Sequence, residues 1–380
     1  MDATVKRAKM TAMPDTHQTI ARLTPLADVL AAIDAAAKPV AACEVEVAAA
    51  RGRVLATDVA AARALPPTAI ALQDGWAVSA DATRDAGGYA PAILPQAPVR
   101  IEAGQPMPNG TDAVAPFETI QMRGGQAETV AAVAAGEGVL AAGSDCAAGK
   151  VLRAAGQRVR ASDAAVFAAT GATSVSVRMP RVSIVPVRTD PILDAAANFI
   201  ATDVARQGGD AQIAAGDLDR ALRDEGADAL VVVGGTGSGR NDKSVQALAR
   251  AGRVAVHGVA LMPGETAAFG TSGSRPVLLI PGRLGAAFAV WLTVGRHMLA
   301  RLSGLNDKEQ STQATLSRKI TSTVSLTEFV PVRRAGDSVE PLAMKYLSLS
   351  ALAQADGFVL VPAGSEGFQA GSAVSVRPWP

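Results

Sequence analysis

The apolar positions change period along the chain, and the changes mark its parts. Within "TPLADVLAAIDAAAKPV" (24–40), Leu26, Val29, Leu30 and Ile33 recur at helical spacing, which predicts a helix. Thr24 stands where an N-cap belongs, Asp28 falls in the first turn, and Pro39 closes the segment. "EVEVAAARGRVLATDVAA" alternates as a strand does, then runs into a short helical turn and extended chain. From about 75 to 140, short runs such as "GWAVSA", "PVRIEAG" and "AETVAAV" are separated by Gly, Pro and Asn, the texture of a small all-β module. Helical spacing returns at 161–170. The stretches flanking the β module look alike, so it reads as an insertion into one elongated domain.

Residues 180–304 have a different character. "RVSIVPV", "DAQIA", "DALVVVGG" and "RPVLLI" are apolar strands. Helical segments alternate with them, the last carrying Leu284, Phe288, Leu292 and Leu299 on one stripe. This alternation predicts a mostly parallel sheet covered on both faces, with ligands outside the carboxyl ends of the strands. From about 319 strands dominate again. The fold class is therefore multidomain α+β and α/β. A disordered lead-in (1–21) precedes a linker domain (22–66 plus 141–178) with an inserted β domain (67–140), an α/β domain (179–306) and a C-terminal β domain (307–380).

Composition narrows the function. A net charge of +1 over 380 residues supplies no long-range field for nucleic acid or an anionic membrane. No apolar run reaches the roughly 18 residues that span a bilayer. Two cysteines, Cys43 and Cys146, outside any metal-ligand spacing, suggest a reducing compartment, the cytoplasm. His17, His257 and His297 fall in no metal or triad pattern, and His257 and His297 read as packing or surface residues.

"DALVVVGGTGSGRNDKS" (228–244) is a buried strand running into a glycine-rich loop and a helix. It fails the Walker A pattern, because Asp242 rather than glycine precedes Lys243 and Ser244. It fails the dinucleotide pattern, because Arg240 follows Gly235 and Gly237. A plain strand-to-helix turn built on glycine is the ordinary reading. Asp242 adds to it, being placed to cap a helix whose N-terminus favours an anion.

Several stretches resemble the MoeA/gephyrin family of molybdopterin molybdenumtransferases, in order from about residue 23 to 378. "DALVVVGGTGSGRND" resembles the family's "D-L-V-I-T-S-G-G-V-S-x-G-D-x-D", and "LPPTAIALQDGWAVSA" its "P-x-x-D-x-S-A-M-D-G-Y-A". "IEAGQPMPNGTDAVAPFE", "GSDCAAGKVLRAAGQRV", "GVALMPGETAAFG", "LLIPGRLGA" and "LSALAQADGFVLVP" match further family motifs. The resemblance implies a four-part subunit, usually a homodimer. It also implies Mg²⁺-dependent insertion of molybdate into adenylylated molybdopterin, with a molybdoenzyme or a cofactor-biosynthesis protein as a further partner.

The implied site residues follow position by position. Asp74, Asp190 and Asp242 match family carboxylates and are the expected catalytic residues, the last two also as metal ligands. The expected cofactor-binding set is Gly234, Gly235, Thr236, Gly237, Ser238, Gly239 and Arg240, with Arg188, Pro263, Gly264, Pro281, Gly282 and Arg283. Departures are chemically large. Ala103 stands for a threonine, Arg240 for an aspartate, Glu265 for a lysine, Arg283 for an asparagine and Arg188 for a glycine. A guanidinium cannot ligate a cation. Either the three arginines gather on one rim and hold an oxyanion, or each pairs with an acid such as Asp190, Asp242 or Glu265. A scaffold or cofactor carrier without turnover, or a binder of another nucleotide or oxyanion, is the alternative function.

Overall fold

Five consecutive apolar residues, Ala229–Val233, form a strand buried on both faces. In the computed structural model, which describes residues 18–214, 217–306 and 311–380, they lie inside a six-stranded sheet. The strands are β1 (Arg181–Pro186), β2 (Asp210–Ile213), β3 (Ala229–Val233), β4 (Arg253–His257), β5 (Ala268–Ser272) and β6 (Arg275–Ile280). Their order is β2-β1-β3-β6-β5-β4. The first four in that order are parallel; β5 runs antiparallel to both β6 and β4.

The continuous apolar pattern follows from helices on both faces. Val231, Val233, Leu278 and Ile280 pack with α1 (Leu26–Ala36), α2 (Pro191–Arg206), α5 (Leu284–Val290) and α6 (Arg296–Ser303). Leu230, Val232, Val277 and Leu279 pack with α3 (Leu218–Arg223) and α4 (Ser244–Ala251). The single long helix expected over 284–303 contains a π-helical turn, Trp291–Gly295. The Trp291 ring fills the space a Cβ on Gly295 would take, its nearest atom 2.2 Å away. Its Nε1 donates to Asp203 at 2.8 Å, and Asp203, 1% exposed, is also paired with Arg296.

The chain divides into two compact units. The sheet just described belongs to the unit Met1–Cys43, Gly52–Val54 and Arg178–Pro380. That unit also holds a C-terminal six-stranded sheet whose longest strand, Thr327–Ala335, pairs with Leu261–Met262. The other unit, Glu44–Arg51 and Leu55–Val177, carries the helix Ala161–Ala169 and a small sheet with Gly75–Val78 between Val99–Ile101 and Ala113–Ala115.

Two local readings are corrected. Helix α1 starts after Pro25, and Thr24 instead bridges to Val259. Residues 1–17 of the expected lead-in, with His17, lie outside the described residues, but Gln18 within that lead-in is only 6% exposed.

Candidate functional site

Parallel strands deliver their carboxyl ends to one rim. From β1 the chain leaves through Val187, Arg188 and Thr189 to Asp190, the N-cap of α2. The glycine loop leaves β3, and Pro281-Gly282-Arg283 leaves β6 into α5. The ends are close: a Cβ on Gly282 would lie 3.5 Å from Gly234 Cα. Arg188, Gly235, Gly239, Arg240, Asp242 and Lys243 line a cleft of about 940 Å³ at this rim.

The loop is held from inside, largely through its carbonyls. Gly234 O accepts from Ser244 Oγ at 2.9 Å. Gly235 O accepts from the Ser244 amide at 3.1 Å and from Gln18 Nε2 at 2.8 Å. Gly237 O accepts from the same Gln18 nitrogen at 2.7 Å. Thr236 O lies 3.4 Å from His257 Nε2, and its hydroxyl 2.8 Å from that of Thr266. Among the described residues, the amides of Thr236, Gly237 and Ser238 donate to no protein acceptor. Gly234 and Gly235 have φ of +99° and +71°, where a side chain is strained.

The acids occupy themselves locally. Asp190 Oδ1 accepts from the Ile192 and Leu193 amides at 2.9 and 3.3 Å, and Oδ2 meets Arg188 at 3.4 Å. The Ile192 amide, with Leu193 and Arg188 and against the opposing effect of desolvation, holds this carboxyl below its ordinary pKa. Asp242 does not cap α4, as had been expected; the cap position falls on Lys243, with no side-chain bond. One residue too early for that task, Asp242 turns back and accepts from the Gly239 amide at 3.0 Å. Glu265 accepts from the amide of Gly264 beside it, at 2.9 Å.

Pairing with acids therefore accounts for only one of the three arginines. Arg188 meets Asp190, whereas Arg240 and Arg283, both exposed, make no ion pair among the described residues. Of the expected residues, Asp190, Gly234, Thr236, Gly237, Ser238, Pro263, Gly264, Pro281, Gly282 and Arg283 are not part of the cleft lining; the loop of Pro263 and Gly264 reaches the glycine loop through Thr266. Asp74 lies in the other unit, exposed, where its Oδ1 accepts from the Ala103 amide at 2.8 Å. Among the described residues no three His, Cys, Asp or Glu side chains form a group suited to a metal ion.

Sequence reasoning missed Gln18, Ser244 and Thr266 as loop supports. Ser244 had a local signal, opening the helix straight after the loop. Gln18 had none, because its bond crosses 217 residues.

A glycine loop tied back by its carbonyls, on a parallel-sheet rim with exposed cations, defines an α/β domain with an open cleft at the strand ends. The family described as MoeA N-terminal region (domain I and II) matches residues 24–171, the family described as "probable molybdopterin binding domain" matches 190–301, and the MoeA C-terminal region (domain IV) matches 313–379. A protein of Methanocaldococcus jannaschii named for molybdopterin biosynthesis is 30% identical over 39% of this chain and 36% of its own length. The molybdopterin molybdenumtransferase of Synechocystis is 25% identical over 86% of this chain and 93% of its own. A solved MoeA protein from Pyrococcus horikoshii superposes with a TM-score of 0.80 at 25% identity, covering 94% of this chain and 99% of that one. This chain belongs to the MoeA family.

Proposed function

We propose that this chain is a molybdopterin molybdenumtransferase, inserting molybdate into adenylylated molybdopterin in molybdenum cofactor biosynthesis. The observation that carries the reading is the glycine loop beside the cleft: its carbonyls are tied inward, and among the described residues the Thr236, Gly237 and Ser238 amides have no protein acceptor, which suits an anion. Arg240 and Lys243 bring positive charge to the cleft, whose lining also holds Arg188, paired with Asp190, and the acids Asp217, Asp219 and Asp242. Guanidinium groups suit the tetrahedral oxyanions of phosphate and molybdate. Catalysis would then come mainly from fixed dipoles and charges around the transferring oxyanion.

The described carboxylates do not form a protein-held Mg²⁺ site. Asp190 is committed to a helix cap and to Arg188, and one oxygen of Asp242 to Gly239. Mg²⁺ is commonly held by one or two carboxylates plus substrate phosphates, so the expected ion would be held largely by the substrate's own pyrophosphate. Asp74 is retained as a candidate catalytic residue, on its exposed loop. A homodimer and a cytoplasmic location fit the family reading; no helix among the described residues is long and apolar enough to cross a membrane.

The test is release of AMP from adenylylated molybdopterin on addition of molybdate, with calorimetric binding measured in parallel. Release that depends on molybdate supports the proposal. Tight binding with no release identifies a cofactor carrier, and overturns the enzyme reading.

A further inference from the structure

Gln18 lies far from the glycine loop in sequence, yet its side chain is 94% buried against it, taking its 6% exposure as the remainder. Its Nε2 donates to two loop carbonyls at once, Gly235 O at 2.8 Å and Gly237 O at 2.7 Å. Its Oε1 is buried with no donor among the described residues, so the polar grip is exerted by the amide nitrogen alone. The following chain is anchored too: the Thr24 amide donates to Gly258 O at 2.9 Å, and the Ala260 amide to Thr24 O at 2.8 Å.

Peptide geometry turns this grip into an orientation. In a planar trans peptide the carbonyl of one residue and the amide of the next point opposite ways. Fixing Gly235 O therefore fixes the Thr236 N–H, and fixing Gly237 O fixes the Ser238 N–H, both directed away from Gln18. Those are among the amides that find no protein acceptor among the described residues. Gly235 and Gly237 are also residues with little intrinsic preference for one conformation.

We propose that Gln18 is a positioning residue for the phosphate loop, clamping two carbonyls so that the alternate amides of the loop are set for an anion. The inference rests on the function proposed above, in that the anion is the phosphate of a molybdopterin nucleotide. The N-terminal segment thus supplies a structural part of the binding site from outside the strand–loop–helix unit.

The experiment compares the full chain with Gln18→Met, which keeps size but removes the donor, and Gln18→Glu, which sets an anion against the two carbonyls. Hydrogen–deuterium exchange is read without ligand at the Asp242 and Ser244 amides, both bonded to loop carbonyls. Loss of two hydrogen bonds should speed exchange there about tenfold, with Glu worse than Met and the amides of α2 unchanged. In turnover with adenylylated molybdopterin and molybdate, KM should rise by a similar factor while kcat holds within about twofold. Wild-type exchange in Gln18→Met overturns the clasp. Faster exchange with an unchanged KM overturns its role in binding, as does acceleration spread equally through α2. If the wild-type chain neither binds nor turns over the nucleotide, the functional reading fails instead, and the exchange comparison still decides the clasp.

Discussion

Gly235 offers the sharpest quantitative test of the loop. It has φ +71°, and a Cβ placed on it would sit 2.4 Å from Ser244 Oγ. Left-handed backbone costs a non-glycine residue roughly 1–2 kcal/mol. Alanine also narrows the unfolded ensemble, offsetting about 0.4–1 kcal/mol of that. Ser244 is 2% exposed, so its hydroxyl cannot swing into water when it is pushed off Gly234 O. A buried donor left without a partner costs about 1–3 kcal/mol. Gly235→Ala should therefore destabilise this unit by about 1–5 kcal/mol. Urea unfolding followed by tryptophan fluorescence reads it, with Trp76 changed to phenylalanine so that Trp291 and Trp379 report on this unit. Ser244→Ala removes the hydroxyl in collision, so the double variant should lose less than the sum of the singles by about 1 kcal/mol. A Gly235→Ala loss under about 1 kcal/mol, or strict additivity, would refute the reasoning.

Two further outcomes follow from buried and capping acids. Asp203→Ala strands the Arg296 guanidinium and the Trp291 indole, and should cost about 3–5 kcal/mol in the same unfolding assay. Asp190, whose folded pKa is lowered first by the Ile192 amide, stabilises its helix above the unfolded carboxylate pKa, and that contribution disappears as pH falls through the lowered folded value. A carboxyl-detected NMR titration should place its midpoint below an ordinary aspartate, with Arg188→Ala raising it only slightly because the amides dominate; a midpoint in the ordinary range would contradict this.

The legible features of the chain were local and periodic. "ALVVV" announced a strand covered on both faces, and the glycines, the Pro-Gly pair after β6 and the acid before α2 marked the strand ends that build the rim. Less legible were choices decided by a residue or two of reach. Asp242 and the true cap differ by one position, and only three-dimensional loop closure shows the carboxylate turning back to Gly239. The π-helical turn leaves the apolar stripe almost intact, so it was invisible in the pattern. Contacts such as Gln18 with Gly235 carry no period at all. Arginine partners were likewise undecidable, since Arg188 found its acid two residues away while Arg240, two residues before Asp242, did not.

The reversal of β5 sets an asymmetry in where the molecule tolerates change. Ala268 pairs with Leu279 and Ser272 with Arg275, so β5 begins at the rim and ends at the opposite edge. The chain therefore brings the segment before β5, Pro263 to Thr266, up to the glycine loop, and sends the hairpin after it away. At that far hairpin a Cβ on Gly273 would meet nothing within 4 Å. Extra residues or a reporter group placed there would leave the rim untouched, whereas one residue more between β4 and β5 would shift Thr266 against Thr236.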